Sequence, residues 1–215
     1  MALANKPNGL SPIGSVGSSP FNLQVNLYSI ANDAGNTYAI GDVVKTSGGT
    51  DSQGVPNVTK AASGNTPLGI IIGFRVADPG VSLVGANLNL NNIFLPLSSG
   101  QRYVYVCDDS DIIFEIQADN SATAYVVGGT GVGTLHQNAN LTITANDTTN
   151  LASSPVSSVV VTGASVAVTG TLVVRLLGSI QREDNPVSST TANNAYVRLK
   201  AKWNLHEYFG SFTGV

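Results

Sequence analysis

Residues 100–119, GQRYVYVCDDSDIIFEIQAD, constrain the fold more than any other part of this chain. Residues 102–107 alternate and are rich in Tyr and Val. Asp108, Asp109, Ser110 and Asp111 then supply turn chemistry, and residues 112–117 resume with β-favouring Ile and Phe. The pattern predicts two strands joined by an acidic turn, a hairpin. Tyr103, Tyr105 and Cys107 share one side and Val104 and Val106 the other, so apolar groups line both faces of the first arm. Such an element belongs inside a sheet packed on both faces and is expected to be the centre of the core.

The remainder reads the same way. No segment of ten or more residues carries a helical period, which predicts an all-β chain with a β-sandwich or barrel-like core. Residues 21–28 alternate, with Phe21, Leu23, Val25 and Leu27 as the inward set. Residues 38–45 form a second strand, 47–56 a soft loop and 57–62 a short strand. The run LGIIIGFRV at 68–76 is too short and too β-branched for a helix and reads as a buried central strand. Residues 77–92 form a long surface connection, and 93–97 lead into the organising hairpin. The small-residue texture of 120–170 predicts a protruding β-rich insertion with narrow strands at 141–144, 159–162 and 166–168; the core resumes at 171–180. Residues 1–20, punctuated by Pro7, Gly9, Pro12, Gly14, Gly17 and Pro20, read as an extended N-terminal arm, either loose or laid across a neighbouring subunit. The expected organisation is thus an arm (1–20), a β core (21–119 with 171–215) and an insertion (120–170).

The cleanest pattern comes last. Val197, Leu199, Ala201, Trp203 and Leu205 share one parity, while Tyr196, Arg198, Lys200, Lys202 and Asn204 share the other. One face enters the core and the other is a basic stripe. The commoner origin of such a row is an edge strand guarded by cations; the functional alternative is a cationic docking surface for an acidic partner.

Charge narrows the function classes. Asp, Glu, Lys and Arg make up only 11% of the chain, against about 25% in an ordinary soluble domain. A surface of neutral polar groups suits extended, long-lived contacts as well as it suits a hydrated, loop-rich monomer. The net charge of −3, with cations scattered until the C-terminal region, argues against a nucleic-acid partner. No stretch of about 18 apolar residues suggests a membrane span, and the first residues do not resemble a secretory leader, so synthesis in the producing cell's cytoplasm is expected. Cys107, the single cysteine, lies in an apolar strand and reads as a small core residue.

Enzyme constellations are mostly missing from the sequence. His136 and His206 lack paired-ligand spacing. The glycine-rich residues 128–133 are followed by no Lys-Ser/Thr, and Gly163-Ala164-Ser165-Val166-Ala167 is not set in a strand-to-helix turn. Asp108, Asp109 and Asp111 could offer oxygen ligands to calcium, or serve a hydrolase, but read first as a turn whose carboxylates satisfy local N–H groups. The expectation is no catalytic residue, no cofactor and no metal.

Several segments together carry a family likeness. Asn8-Gly9-Leu10-Ser11-Pro12-Ile13, the YVYVCDDSDIIFEIQ stretch at 103–117, Gln181-Arg182-Glu183-Asp184-Asn185, and Trp203-Asn204-Leu205-His206-Glu207 resemble the capsid decoration, or cement, proteins of tailed bacteriophage heads. The resemblance spans most of the chain in order, and its motifs are framework motifs. It implies a structural virion protein on the outer capsid surface that bridges neighbouring capsomers, with the major capsid protein and further copies of itself as partners, a homotrimer in preference to a homodimer. The contact candidates are Pro7, Leu10, Pro12 and Ile13 in the arm and Arg198, Lys200 and Lys202 in the basic stripe. The alternative is a host-surface or glycan-binding module using exposed aromatics such as Tyr208 and Phe209 or Tyr125.

Overall fold

A computed structural model describes residues 4–17, 21–30, 33, 35–75, 94–95, 102–120, 136–144, 156–185 and 195–209. Among them the regular structure is β, apart from one 3-10 turn at Gly163–Ser165. In chain order the strands are β1 (Ser11–Ser15), β2 (Asn26–Ile30), β3 (Tyr38–Ala39), β4 (Val43–Thr50), β5 (Pro56–Lys60), β6 (Gly69–Arg75), β7 (Phe94–Leu95), β8 (Arg102–Cys107) and β9 (Ile112–Gln117), followed by β10 (Asn138–Ala139), β11 (Leu141–Thr142), β12 (Val160–Val161), β13 (Val174–Ser179) and β14 (Arg198–Trp203). Five of these close a barrel in the order β2-β5-β4-β6-β8. Five others form an antiparallel sheet in the order β1-β9-β14-β13-β10, and β11-β12 and β3-β7 are small two-stranded pairs.

Strands that are apolar on both faces hold these layers together. Ile71 and Phe74 of β6 fill the barrel with Tyr28, Ile30, Val44, Val58, Val104 and Val106. Their neighbours Val43, Ile70 and Cys107 belong instead to a second core, shared with Phe114, Ile116, Leu199, Ala201 and Trp203 of the sheet. Burying each such large side chain contributes about 1.5–3 kcal/mol. The apolar run at 68–74 is therefore what a strand between two cores requires.

The acidic turn corrects the hairpin expectation. Residues 102–107 and 112–117 are strands, but they do not pair with each other. β8 lies between β2 and β6, whereas β9 lies between β1 and β14. The turn carries the chain from barrel to sheet because Asp108 is tied to the barrel. Its carboxylate accepts hydrogen bonds from Asn26 Nδ2 at 3.0 Å and from the Tyr28 hydroxyl at 2.6 Å, while the carbonyl of Asp111 accepts from Val16 N–H beside β1.

Three further segments depart from the sequence reading. The strand expected over 21–28 starts at Asn26, and its buried parity is Tyr28 and Ile30; Phe21 and Leu23 stay 40% and 37% exposed. Tyr28 wins the inward position because its ring fills the barrel while its hydroxyl reaches Asp108 at the barrel's end. The loop expected over 47–56 is partly strand: β4 runs to Thr50, and the Asp51 carboxylate caps the following turn by accepting from Gln53 and Val55 N–H. The N-terminal segment lies along its own chain. β1 forms the edge of the sheet against β9, and Leu10 is buried in the sheet core. Gly9 permits this approach, since its backbone is left-handed (φ 64°) and a Cβ there would stand 2.4 Å from the Gly41 carbonyl oxygen.

The described parts of 120–170 are likewise built into the molecule. β10 adds to the sheet through β13, and Ala139, Leu141, Val159 and Val161 lie in the same core as Phe114 and Trp203. Residues 121–135 and 145–155 fall outside the described set.

Candidate functional site

The alternation over 196–205 is realised in β14, where Leu199, Ala201 and Trp203 are buried and Arg198, Lys200 and Lys202 take the other face. β14 is not an edge strand. It pairs with β9 on one side and β13 on the other, so its cations guard no open edge and the commoner account of such a row fails here.

Strand register extends the charge sideways, because residues directly opposite one another in an antiparallel pair point to the same face. Lys202 lies opposite Arg175 on β13 and Ile113 on β9, and Lys200 lies opposite Gly178 and Glu115. Arg175 thus joins the stripe. Sequence reading missed it; the available signal was a lone, exposed cation inside the apolar run TLVVRLLGSI, but only the register shows its neighbour.

Glu115 is the carboxylate within these rows, and it is already occupied. Arg182 grips it with both terminal nitrogens at 2.8 and 3.1 Å, and Arg198 Nη1 reaches it at 3.2 Å. This contact with Glu115 raises the Arg182 pKa further above its ordinary value. Arg198 also donates to the Lys6 carbonyl at 3.1 Å, so it serves the chain internally. Among the described residues, Arg175, Lys200 and Lys202 have no carboxylate within ion-pair distance. Of the chain's 10 Lys and Arg, Lys6, Arg175, Arg182, Arg198, Lys200 and Lys202 lie on or beside this one face.

The N-terminal contact candidates scatter. Ile13 is 42% exposed, Pro7 is half-buried, and Pro12 sits opposite Phe114 on a row facing the core. Leu10, 1% exposed, is a core residue with no surface to offer a partner.

The other sequence motifs resolve into framework. Asp108 is also approached by the Tyr208 hydroxyl at 3.0 Å, and Asp109 accepts from the backbone N–H of Asp111 at 2.8 Å, which is turn chemistry. Among the described residues no three His, Cys, Asp or Glu side chains converge as metal ligands. His206 is fully buried, and its Nδ1 accepts from Tyr208 N–H; His136 sits in a turn with a left-handed backbone. Burial lowers the His206 pKa and pushes the Cys107 thiol up to about 11, the signature of an inert core thiol. Ser165 Oγ donates to the Thr162 carbonyl and accepts from Asn140 N–H, so its hydroxyl is committed locally. The glycine-rich residues 128–133 and Tyr125 lie outside the described residues.

The segments at 181–185 and 203–207 behave in the same way. Asn185 donates to the Ile180 and Arg198 carbonyls and accepts from Arg198 N–H, bolting the loop onto β14. Asn204 Nδ2 ties down the Gly170 and Leu172 carbonyls, and Glu207 accepts from Thr46 N–H on the barrel. The chain matches no protein-family model, and no curated protein and no solved structure matches it.

Proposed function

We propose that this chain is a structural virion protein that binds the outside of a tailed-phage icosahedral head and stabilises it by bridging capsomers of the major capsid protein. The observation that carries this reading is the sheet face itself. A central strand displays cations that protect no edge, in a chain otherwise poor in charge. Docking on an acidic protein surface gives those cations a purpose, and repetition of the site over a symmetric oligomer and a symmetric shell would multiply modest contacts into lasting attachment. The framework role of Asn185, Asn204 and Glu207 fits the same reading, which assigns no catalytic step, cofactor or metal.

The test is co-sedimentation of the purified protein with undecorated, expanded phage heads, followed by imaging. Saturable decoration at fixed lattice positions is the expected result. A second reading, a host-surface or glycan-binding module, has one observation in its favour: Tyr208 and Phe209 are 61% and 37% exposed near the barrel's end. Failure to decorate heads, with attachment to host cells or glycans instead, would establish that alternative.

A further inference from the structure

Resting on the docking role above, we propose that Arg175, Lys200 and Lys202 form a seat for an extended acidic segment of the partner protein. The geometry begins with a repulsion. Arg175 and Lys202 stand directly opposite each other on neighbouring strands, an arrangement that costs stability. Nothing in their row offsets it: beyond Arg175 lies Asn138, and beyond Lys202 lie Ile113 and then Gly14. The carboxylate of the next row, Glu115, is held by Arg182 and Arg198. The anion that would relieve this repulsion must come from outside the described residues.

The floor beside these cations is bare. Gly178 lies opposite Lys200, and a Cβ built on it would meet nothing within 4 Å; the same holds at Gly14, on the other side of Ile113. Backbone is therefore exposed where a partner chain could come close. Lys200 and Lys202 are two residues apart on one strand, about 6.8 Å, which is also the spacing of alternate side chains along an extended partner. Arg175 adds a planar fork suited to gripping a carboxylate through two hydrogen bonds. A nucleic acid fits less well. The rows contain no aromatic side chain on which a base could stack, Glu115 stands among the cations, and the chain as a whole is negative.

The experiment measures fluorescence anisotropy of a labelled oligo-glutamate peptide with the full-length protein, and then repeats head co-sedimentation with the same variants. Lys202→Glu turns the like-charged pair into an opposite-charged one, so its thermal midpoint should hold or rise while peptide affinity falls at least about tenfold. Gly178→Glu, which places a carboxylate on the bare floor, should cause a similar loss, and Gly178→Ala should not. Lys45→Glu, with the same charge change on β4, should bind as the parent does. The seat is refuted if Lys202→Glu binds the peptide undiminished, if Lys45→Glu loses as much, or if a single-stranded oligonucleotide binds more tightly than the peptide. Parent protein that binds the peptide but not heads would sink the capsid reading and leave the seat standing. Heads bound equally by parent and Lys202→Glu would remove the seat and leave the capsid reading intact.

Discussion

The barrel and the sheet treat their charges in opposite ways. In the barrel, Lys60 Nζ meets Asp42 Oδ2 at 3.0 Å with the two side chains 6% and 0% exposed. Arg102 is buried with its guanidinium 5.4 Å from the centre of the Tyr38 ring and donates to the Asp33 carbonyl. Those cations are consumed by their own fold. On the sheet, Arg182 and Arg198 are spent on Glu115 to fix the surface, while Arg175, Lys200 and Lys202 are held out together. A buried pair contributes to holding the molecule together, whereas a row of like charges on a well-paired strand works against it.

The largest expected effect lies on the barrel side. Lys60→Met strands the Asp42 carboxylate in the interior and should cost about 3–5 kcal/mol in urea unfolding; a cost near zero would mean that the barrel's charges are as dispensable as those of the sheet. The next effect sits at the seam, where His206 packs beside Trp203 of the sheet and Tyr208 reaches Tyr28 and Asp108 of the barrel. Because burial lowers the His206 pKa, the folded protein resists a proton that the unfolded chain accepts. Stability should therefore hold above the ordinary imidazole value of about 6.5 and decline as pH falls below it, by at most about 1.4 kcal/mol per pH unit from this group. Unfolding curves for the parent and His206→Gln across that window isolate the term, and an unchanged slope in the variant would exclude His206 as its source. The smallest effect belongs to the sheet face. Arg175→Gln should change stability by no more than about 0.5 kcal/mol in the same unfolding assay; a loss comparable to that of Lys60→Met would erase the contrast.

The sequence revealed strands more readily than their partners. β6, β8, β9, β13 and β14 stand close to where alternation and β-branched runs put them, because those patterns report burial directly. Pairing escaped because each arm of the 100–119 stretch carries apolar groups on both sides, which fits a hairpin and a crossing between layers equally well. Asp108 decides between them, and its partners Asn26, Tyr28 and Tyr208 are distant in sequence. Parity over 21–28 held for Val25, which packs on the sheet core, but missed the barrel-facing side of the strand. Alternation shows that a strand has two faces, but the inward face went to Tyr28 through a long-range hydrogen bond. The site was half legible: Lys200 and Lys202 could be read from β14 alone, Arg175 needed the register, and Leu10 looked like an exposed arm residue until Gly9 brought it against Gly41.

The place of β14 in the sheet also orders events during synthesis. The barrel strands fall between Asn26 and Cys107, so their residues emerge from the ribosome before those of β9, β13 and β14. The strand at the middle of the sheet is the last among the described residues, and it must settle between β9 and β13, both already synthesised. Sheet closure therefore waits until residues 198–203 have been made. The opposed Lys202 and Arg175 then come together only once β14 is in place, so a product truncated before Arg198 lacks this pair of cations.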